Sequence, residues 1–402
     1  RVVSREEVRN NDYNLNIPRY VDSSETAENW DIYASMFGGI PDDEIDAFSP
    51  YWTAFPDLRK DLFKTISPEY SEICTENVKE TIQNHENVKA FQNQYHAQFD
   101  DFESFLVQEL LDNMSTLTIS QEESRLSANI FRRLTPLTLI DPYEAYQILD
   151  NEWQKISEDL EVIQTEGFEC VKKVVPNMVI KKKDGREIET QDGWKGYILP
   201  FELVQTVHLT SEVNELKADE NRLAEIAGEL EELLDNLTEE EKQSNAINDS
   251  GDKFVFKEIP KLVKELKKNG GEPDFIAKLE KANKLNEEEK KLKSKVKKES
   301  AELQMKTKTI IETLSDEQAV ALLHKKWISA LISKLEELPH HVVSAFSAKV
   351  QALAEKYKIT HADTENEIQQ TEKELSAMLD ELTGNEYDTL GLQEFQKLLG
   401  GI

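Results

Sequence analysis

The chain has 402 residues and a net charge of −31, with 32% charged and only 8% aromatic residues. That length allows two or three domains with sizeable cores, and the balance belongs to long surface-rich helices. The charge excludes an unaided grip on nucleic acid, because the average surface repels phosphate. No apolar run approaches membrane-spanning length, and the opening residues do not read as a signal peptide. Cys74 and Cys170 lie far apart in no metal or redox spacing, which points weakly to a reducing cytoplasm.

In chain order, Ser4 and Glu7 have the spacing of a capping box and predict a short helix. Leu15, Ile17 and Tyr20 sit among asparagines beside Pro18, so Asn10–Val21 is expected to be extended, as an edge strand. Between Asp57 and Asn113 the pattern is helical. Val88, Phe91, Tyr95, Phe99, Phe102, Leu106 and Leu110 follow three- and four-residue steps and predict one buried face. Ser120 and Glu123 predict another capped helix. The next has the clearest ends: Asp141 as cap, Pro142 in the first turn and Gly167 as stop. These helices are expected to pack as a bundle. From Cys170 to Val204 the β-branched residues and Asp184-Gly185 predict a β-hairpin with a two-residue turn. Lys181, Lys182, Lys183 and Arg186 would crowd its tip, where loop solubility or a contact with a DNA backbone explains them.

A leucine ladder follows. Leu216, Leu223, Leu230 and Leu237 recur every seven residues, with Val213, Ala227 and Leu234 in a second row that Glu220 interrupts. Phe275, Ala282, Val296, Leu303 and Ile310 share a heptad position downstream, interrupted by Glu289. Two such seams joined by a polar segment with Gly251 and Gly270-Gly271 predict an antiparallel coiled-coil hairpin, its first arm roughly 40 Å long. The lysines from Lys290 to Lys298 read as a solvated face. Ser315 and Gln318 cap a helix carrying Trp327 and Leu331 and closed by Pro339. A final helix carries Ile368, Leu375 and Leu382 at heptad spacing, with Gly384 as its stop. Trp327, Leu331, Ile368, Leu375 and Leu382 are the candidate partner contacts, since an apolar stripe on a terminal helix needs a cover, which either another protein or the neighbouring C-terminal helices would supply. No histidine has ligand spacing, and no nucleophile, base and orienting group can be nominated together.

Beside these readings stands a resemblance. Asn10-Asn11-Asp12-Tyr13-Asn14-Leu15-Asn16-Ile17-Pro18-Arg19-Tyr20-Val21 resembles the segment after the catalytic core in modification (M) subunits of type I restriction-modification systems. Phe37-Gly38-Gly39-Ile40-Pro41, Tyr51-Trp52-Thr53-Ala54-Phe55-Pro56, Glu166-Gly167-Phe168, Trp194-Lys195-Gly196 and Leu199-Pro200-Phe201-Glu202-Leu203-Val204 look like the long-tailed branch of that family. The resemblance implies S-adenosylmethionine-dependent adenine methylation of DNA, in complex with a specificity (S) subunit, a second M subunit and a restriction (R) subunit. It also implies that the last helix meets the S subunit. The family's Asn/Asp-Pro-Pro-Phe/Tyr motif is absent, since Asp141-Pro142-Tyr143 lacks the second proline, and no Gly-rich methyl-donor turn occurs. The chain opens Arg-Val-Val without methionine, as expected of a C-terminal fragment. No catalytic, cofactor-binding or metal-binding residue is carried over, so S-adenosylmethionine belongs to the parent and not to this chain. The competing expectation is a free-standing coiled-coil scaffold or chaperone-like arm.

The expected fold is mainly α: a helical bundle, a long antiparallel coiled-coil hairpin and C-terminal helices, with a small β-hairpin insertion. The expected segments are 1–65 (end of the methyltransferase domain and linker), 66–167 (bundle), 168–209 (β-containing), 210–314 (hairpin) and 315–402 (partner-binding helices).

Overall fold

Local capping signals survive into the tertiary structure, a computed structural model describing residues 3, 5–14, 16, 20, 29–183 and 186–398, with the backbone alone of 181–183 and 186–188. The Pro142–Glu166 helix starts where expected: Asp141 Oδ1 accepts the Tyr143 N–H at 2.9 Å, and Gly167 closes it at φ 83°. Ser315 and Gln318 form their reciprocal capping box. Ser120 does not cap; the helix already begins at Ile119, after Thr118. Pro339 closes nothing either, because the preceding helix ends at Glu336 and Pro339 opens the Leu338–Lys356 helix, where its missing N–H is harmless. Ser4 and five residues of the expected edge strand (Leu15, Ile17, Pro18, Arg19, Val21) lie outside the described residues. A short helix spans Arg5–Asn10, and Asn11, Asp12 and Tyr13 turn rather than extend, with Asp12 and Tyr13 at φ 55° and 54°.

The described chain is mainly helical with two small sheets. It divides into two units: 1–96 with 136–140 and 338–402, and 97–135 with 141–337. Of the segment expected over 315–402, residues 338–402 group with 1–96 and residues 315–337 with the second unit.

In the first unit β1 (Ile40–Pro41), β2 (Phe63–Ser67) and β3 (Tyr70–Ile73) form an antiparallel sheet in the order β1-β3-β2. The stretch from Asp57 to Asn113, expected to be helical throughout, therefore contains two strands. Phe346 anchors the core: it stacks on Tyr51 at 4.3 Å between centroids and meets Trp52 edge-on at 5.3 Å. Such aromatic pairs add to area burial because ring edges and faces carry opposite partial charge. Lys356 Nζ donates to Glu44 Oε2 at 2.8 Å and to the Asn29 carbonyl at 2.6 Å, while the Tyr357 hydroxyl donates to Glu44 Oε1 at 2.5 Å. Burial pulls the Lys356 ammonium down, but Glu44 and Tyr357 together outweigh this and hold it above its ordinary value.

In the second unit β4 (Val174–Lys183) and β5 (Arg186–Gly196) make the expected hairpin, and the register Lys183↔Arg186 requires a two-residue connection. The helices Thr210–Asp235 and Pro273–Thr313 lie side by side. Ion pairs Glu212–Lys306, Asp219–Lys295, Arg222–Glu288 and Glu229–Lys281 fall in opposite chain directions, so the two helices run antiparallel. Each pair joins a half-buried side chain to a more exposed one, and pairs so close to water set register more than stability. Ile226, not the exposed Ala227, is the fully buried residue midway along the first helix. The polar connection between the helices is itself folded: Ala246, Ile247, Ile259, Phe275, Leu279 and Ala282 form a core with Leu234 and Leu237. The helix Ile259–Asn269 within it ends at Gly270, in the left-handed region at φ 75°.

A buried carboxylate pair lies in this unit. Glu109, on the π-helical turn Val107–Asp112, and Glu122 are both buried, and Arg125 reaches Glu109 at 2.5 Å but Glu122 only at 3.9 Å. Glu122 Oε1 has no hydrogen-bond partner. Burial pushes the Glu122 carboxyl above its usual range, Glu109 adds to this, and Arg125 opposes it. A carboxyl raised by folding contributes fully below its unfolded value, about 4.3, and that contribution is lost as pH rises through the higher folded value. Glu122→Gln is therefore expected to raise the melting temperature by about 2 °C at pH 7 and to change little at pH 4. Thermal scans at the two pH values check this; a lower melting temperature at pH 7 contradicts it.

Candidate partner-binding face

The terminal helix His361–Asp380 opens with a capping box in which Thr360 N–H donates to Asp363 Oδ2 at 3.0 Å and Asp363 N–H to Thr360 Oγ1 at 3.1 Å. The Thr360 hydroxyl, which donates to Asp363 Oδ2 at 2.7 Å, and then the Thr360 N–H hold the Asp363 carboxyl below its usual range. A carboxylate in the first turn also suits the positive end of the helix dipole. Gly38, at φ 87°, passes beneath this cap; a Cβ there would come within 3.3 Å of the Thr360 methyl. The second terminal helix, Glu386–Leu398, is tied back by Gln396 Nε2, which donates to the Ser376 carbonyl at 2.9 Å and to Asp380 Oδ1 at 2.8 Å.

Neither helix has a buried residue. Ser376 and Leu379 turn partly inward, as do Leu392 and Gln396 of the second helix. Ile368, Leu375 and Leu382 are 53%, 38% and 57% exposed. Met378, exposed too, joins Ile368 and Leu375 at steps of seven and three, the spacing of a helix-binding seam. The helix ends at Asp380, so Leu382 lies just past its end and Gly384 is not its stop. Sequence reasoning missed Met378, although the same heptad count contains it. Tyr387, Leu390, Phe395 and Leu398 leave further apolar surface on the second helix. A partner helix covering such side chains gains about 1.5–3 kcal/mol for each one fully buried.

Trp327 and Leu331, expected at the same interface, are instead interior. They are 1% and 0% exposed in the second unit, and Trp327 Nε1 donates to Asp159 Oδ2 at 2.8 Å. Trp327 lies on a π-helical turn, His324–Ser329, and the neighbouring Lys326 Nζ donates to the same carboxylate oxygen at 2.5 Å. Their apolar periodicity is real, but the chain itself supplies the cover. Lys181, Lys182, Lys183 and Arg186 occupy the paired strand ends next to the hairpin turn; their side chains, and Asp184-Gly185, lie outside the described residues. Among the lysines of the long helix, Lys293 pairs with Glu289 and Lys298 with Glu302, as a solvated face does.

Among the described residues no three His, Cys, Asp or Glu side chains converge as metal ligands. No described helix is long and apolar enough to cross a membrane. No family model, curated protein or solved structure matches the chain.

Proposed function

We propose that this chain is the C-terminal assembly region of a type I modification subunit, docking on the specificity subunit through Ile368, Leu375, Met378 and Leu382. The observation that carries the reading is the exposure of Ile368, Leu375 and Met378 on a helix with no buried residue, with exposed Leu382 just past its end. An apolar row at heptad spacing is what a partner helix covers. The family-like motifs from Asn10-Asn11-Asp12-Tyr13 onward support the same identification. In this reading Thr210–Asp235 and Pro273–Thr313 are the arms of an antiparallel coiled-coil hairpin. The buried row Phe275, Leu279, Ala282 and Asn286 on the longer arm, at steps of four, three and four, supports that packing. S-adenosylmethionine and adenine extrusion belong to the parent's catalytic part, which this region positions over DNA within a cytoplasmic complex holding a second M subunit and the R subunit.

Size-exclusion chromatography with light scattering, on the chain alone and mixed with the S subunit encoded beside it, tests the proposal. The expected result is a mixed species whose mass is the sum of its components. Separate elution at micromolar concentrations overturns it. A self-associated chain with no mixed species would fit the free-standing scaffold instead.

A further inference from the structure

The sheet of the first unit has an unfinished edge. β1 pairs with β3 for two residues only, Ile40↔Ser71 and Pro41↔Tyr70, while β2 continues on the other side of β3 to Phe63↔Ile73. Hydrogen-bonding direction alternates along a strand. Cys74 N–H donates to the Leu62 carbonyl at 3.0 Å on the β2 side. Ser71 and Ile73 therefore direct their N–H and C=O groups the other way, towards β1. Asp42 N–H, donating to the Glu69 carbonyl at 2.9 Å, continues that alternation on the β1 side. Ser71 meets Ile40 there. Ile73 meets nothing: among the described residues no backbone group pairs with its N–H or C=O on that side.

The free groups face a cleft of about 590 Å³ between the β3 edge and the end of the Leu338–Lys356 helix, with Ile73 and Thr75 on one wall and Ala354 on the other. Its lining also carries three carboxylates, Glu72, Glu76 and Glu355, against one ammonium, Lys358. Lys358 is committed to Glu355 at 3.0 Å and Glu72 to Lys64 at 3.5 Å, whereas Glu76 has no ion pair among the described residues. Uncovered strand edges template further pairing, and a groove between a sheet edge and a helix is a recurrent seat for an added strand.

We propose that this cleft receives an extended basic peptide segment of a partner protein, which adds to the free edge of β3 in line with β1. The Ile73 N–H and C=O supply the backbone bonds, and Glu76 selects a lysine or arginine on the incoming strand. The seam on the terminal helix takes no part, so the specificity subunit is not needed in the assay.

The probe is a fluorescein-labelled peptide, Lys-Val-Thr-Val-Lys-Val-Thr-Lys, titrated into the whole chain and followed by anisotropy. Saturable binding is expected, with amide exchange at Ile73 slowed at least tenfold. A peptide methylated on alternate backbone nitrogens, and one with every lysine replaced by glutamate, should each bind at least tenfold more weakly. Ala354→Trp should fill the cleft and weaken binding at least tenfold with an unchanged melting temperature. If that variant does not fold, Glu76→Lys should weaken binding at least fivefold. No saturable binding overturns the proposal. Equal affinity for the methylated peptide, with Ile73 exchange unchanged, overturns it as well, because the peptide would then adhere by charge alone.

Discussion

The triple variant Ile368→Asp, Leu375→Asp, Leu382→Asp should lose the specificity subunit, its dissociation constant rising about 1000-fold or more, while its melting temperature stays within a degree or two of the parent's. The two halves of this expectation have separate causes. In the free chain the three side chains are exposed and the helix carries no buried residue, so aspartate there removes little native packing. Exposed substitutions of this kind usually stay within about 0.5 kcal/mol. In a complex each apolar side chain would bury its surface for about 1.5–3 kcal/mol, and the aspartates would add desolvation cost on top. Losing all three, about 4.5–9 kcal/mol, exceeds the roughly 4.1 kcal/mol that separates micromolar from nanomolar affinity. Isothermal titration against the specificity subunit, paired with thermal scans, measures both. Unchanged affinity would remove the seam from the interface, and a collapsed melting temperature would mean that the seam is internal packing.

Trp327→Ala should behave in the opposite way, unfolding the second unit about 10 °C earlier. The ring is 1% exposed, and its Nε1 donates to Asp159 at 2.8 Å. Removing a buried tryptophan costs about 3–5 kcal/mol through lost transfer energy and the cavity left behind, and each kcal/mol lowers the melting temperature by about 2–4 °C in a unit of this size. Asp159 keeps Lys326 as a partner, so the carboxylate is not stranded and the loss is dominated by the cavity. Trp327→Phe separates the terms: most of the volume stays while the hydrogen bond goes, and a loss of about 1–2 kcal/mol is expected. Calorimetry on the three proteins checks the order. A Trp327→Ala protein as stable as the parent would return this residue to the list of surface contacts.

What the sequence determined by itself was local. Asp141, Pro142 and Gly167 mark helix ends through bonds within a few residues of each other, and so do Ser315 and Gln318. Asp184-Gly185 implied a two-residue turn, which the register Lys183↔Arg186 repeats. Heptad spacing located the apolar rows on the two long antiparallel helices and on the terminal one. Tertiary structure decided what covers each row, because periodicity marks an apolar face without naming its neighbour. Trp327 and Ile368 belong to rows of the same kind, yet one lies inside the chain and the other in solvent. Ile226 displaces Ala227 from the buried position because the facing helix, not the heptad count, sets the rotation. The small core at the end of the long helices joins Leu234, Leu237, Phe275 and Ala282 of the two seams to Ala246, Ile247 and Ile259 of the polar connection, where no heptad runs. The free edge of β3 was equally hidden, since it exists only because β1, some thirty residues earlier, begins pairing at Ile40 and leaves Ile73, among the described residues, without a backbone partner on the β1 side.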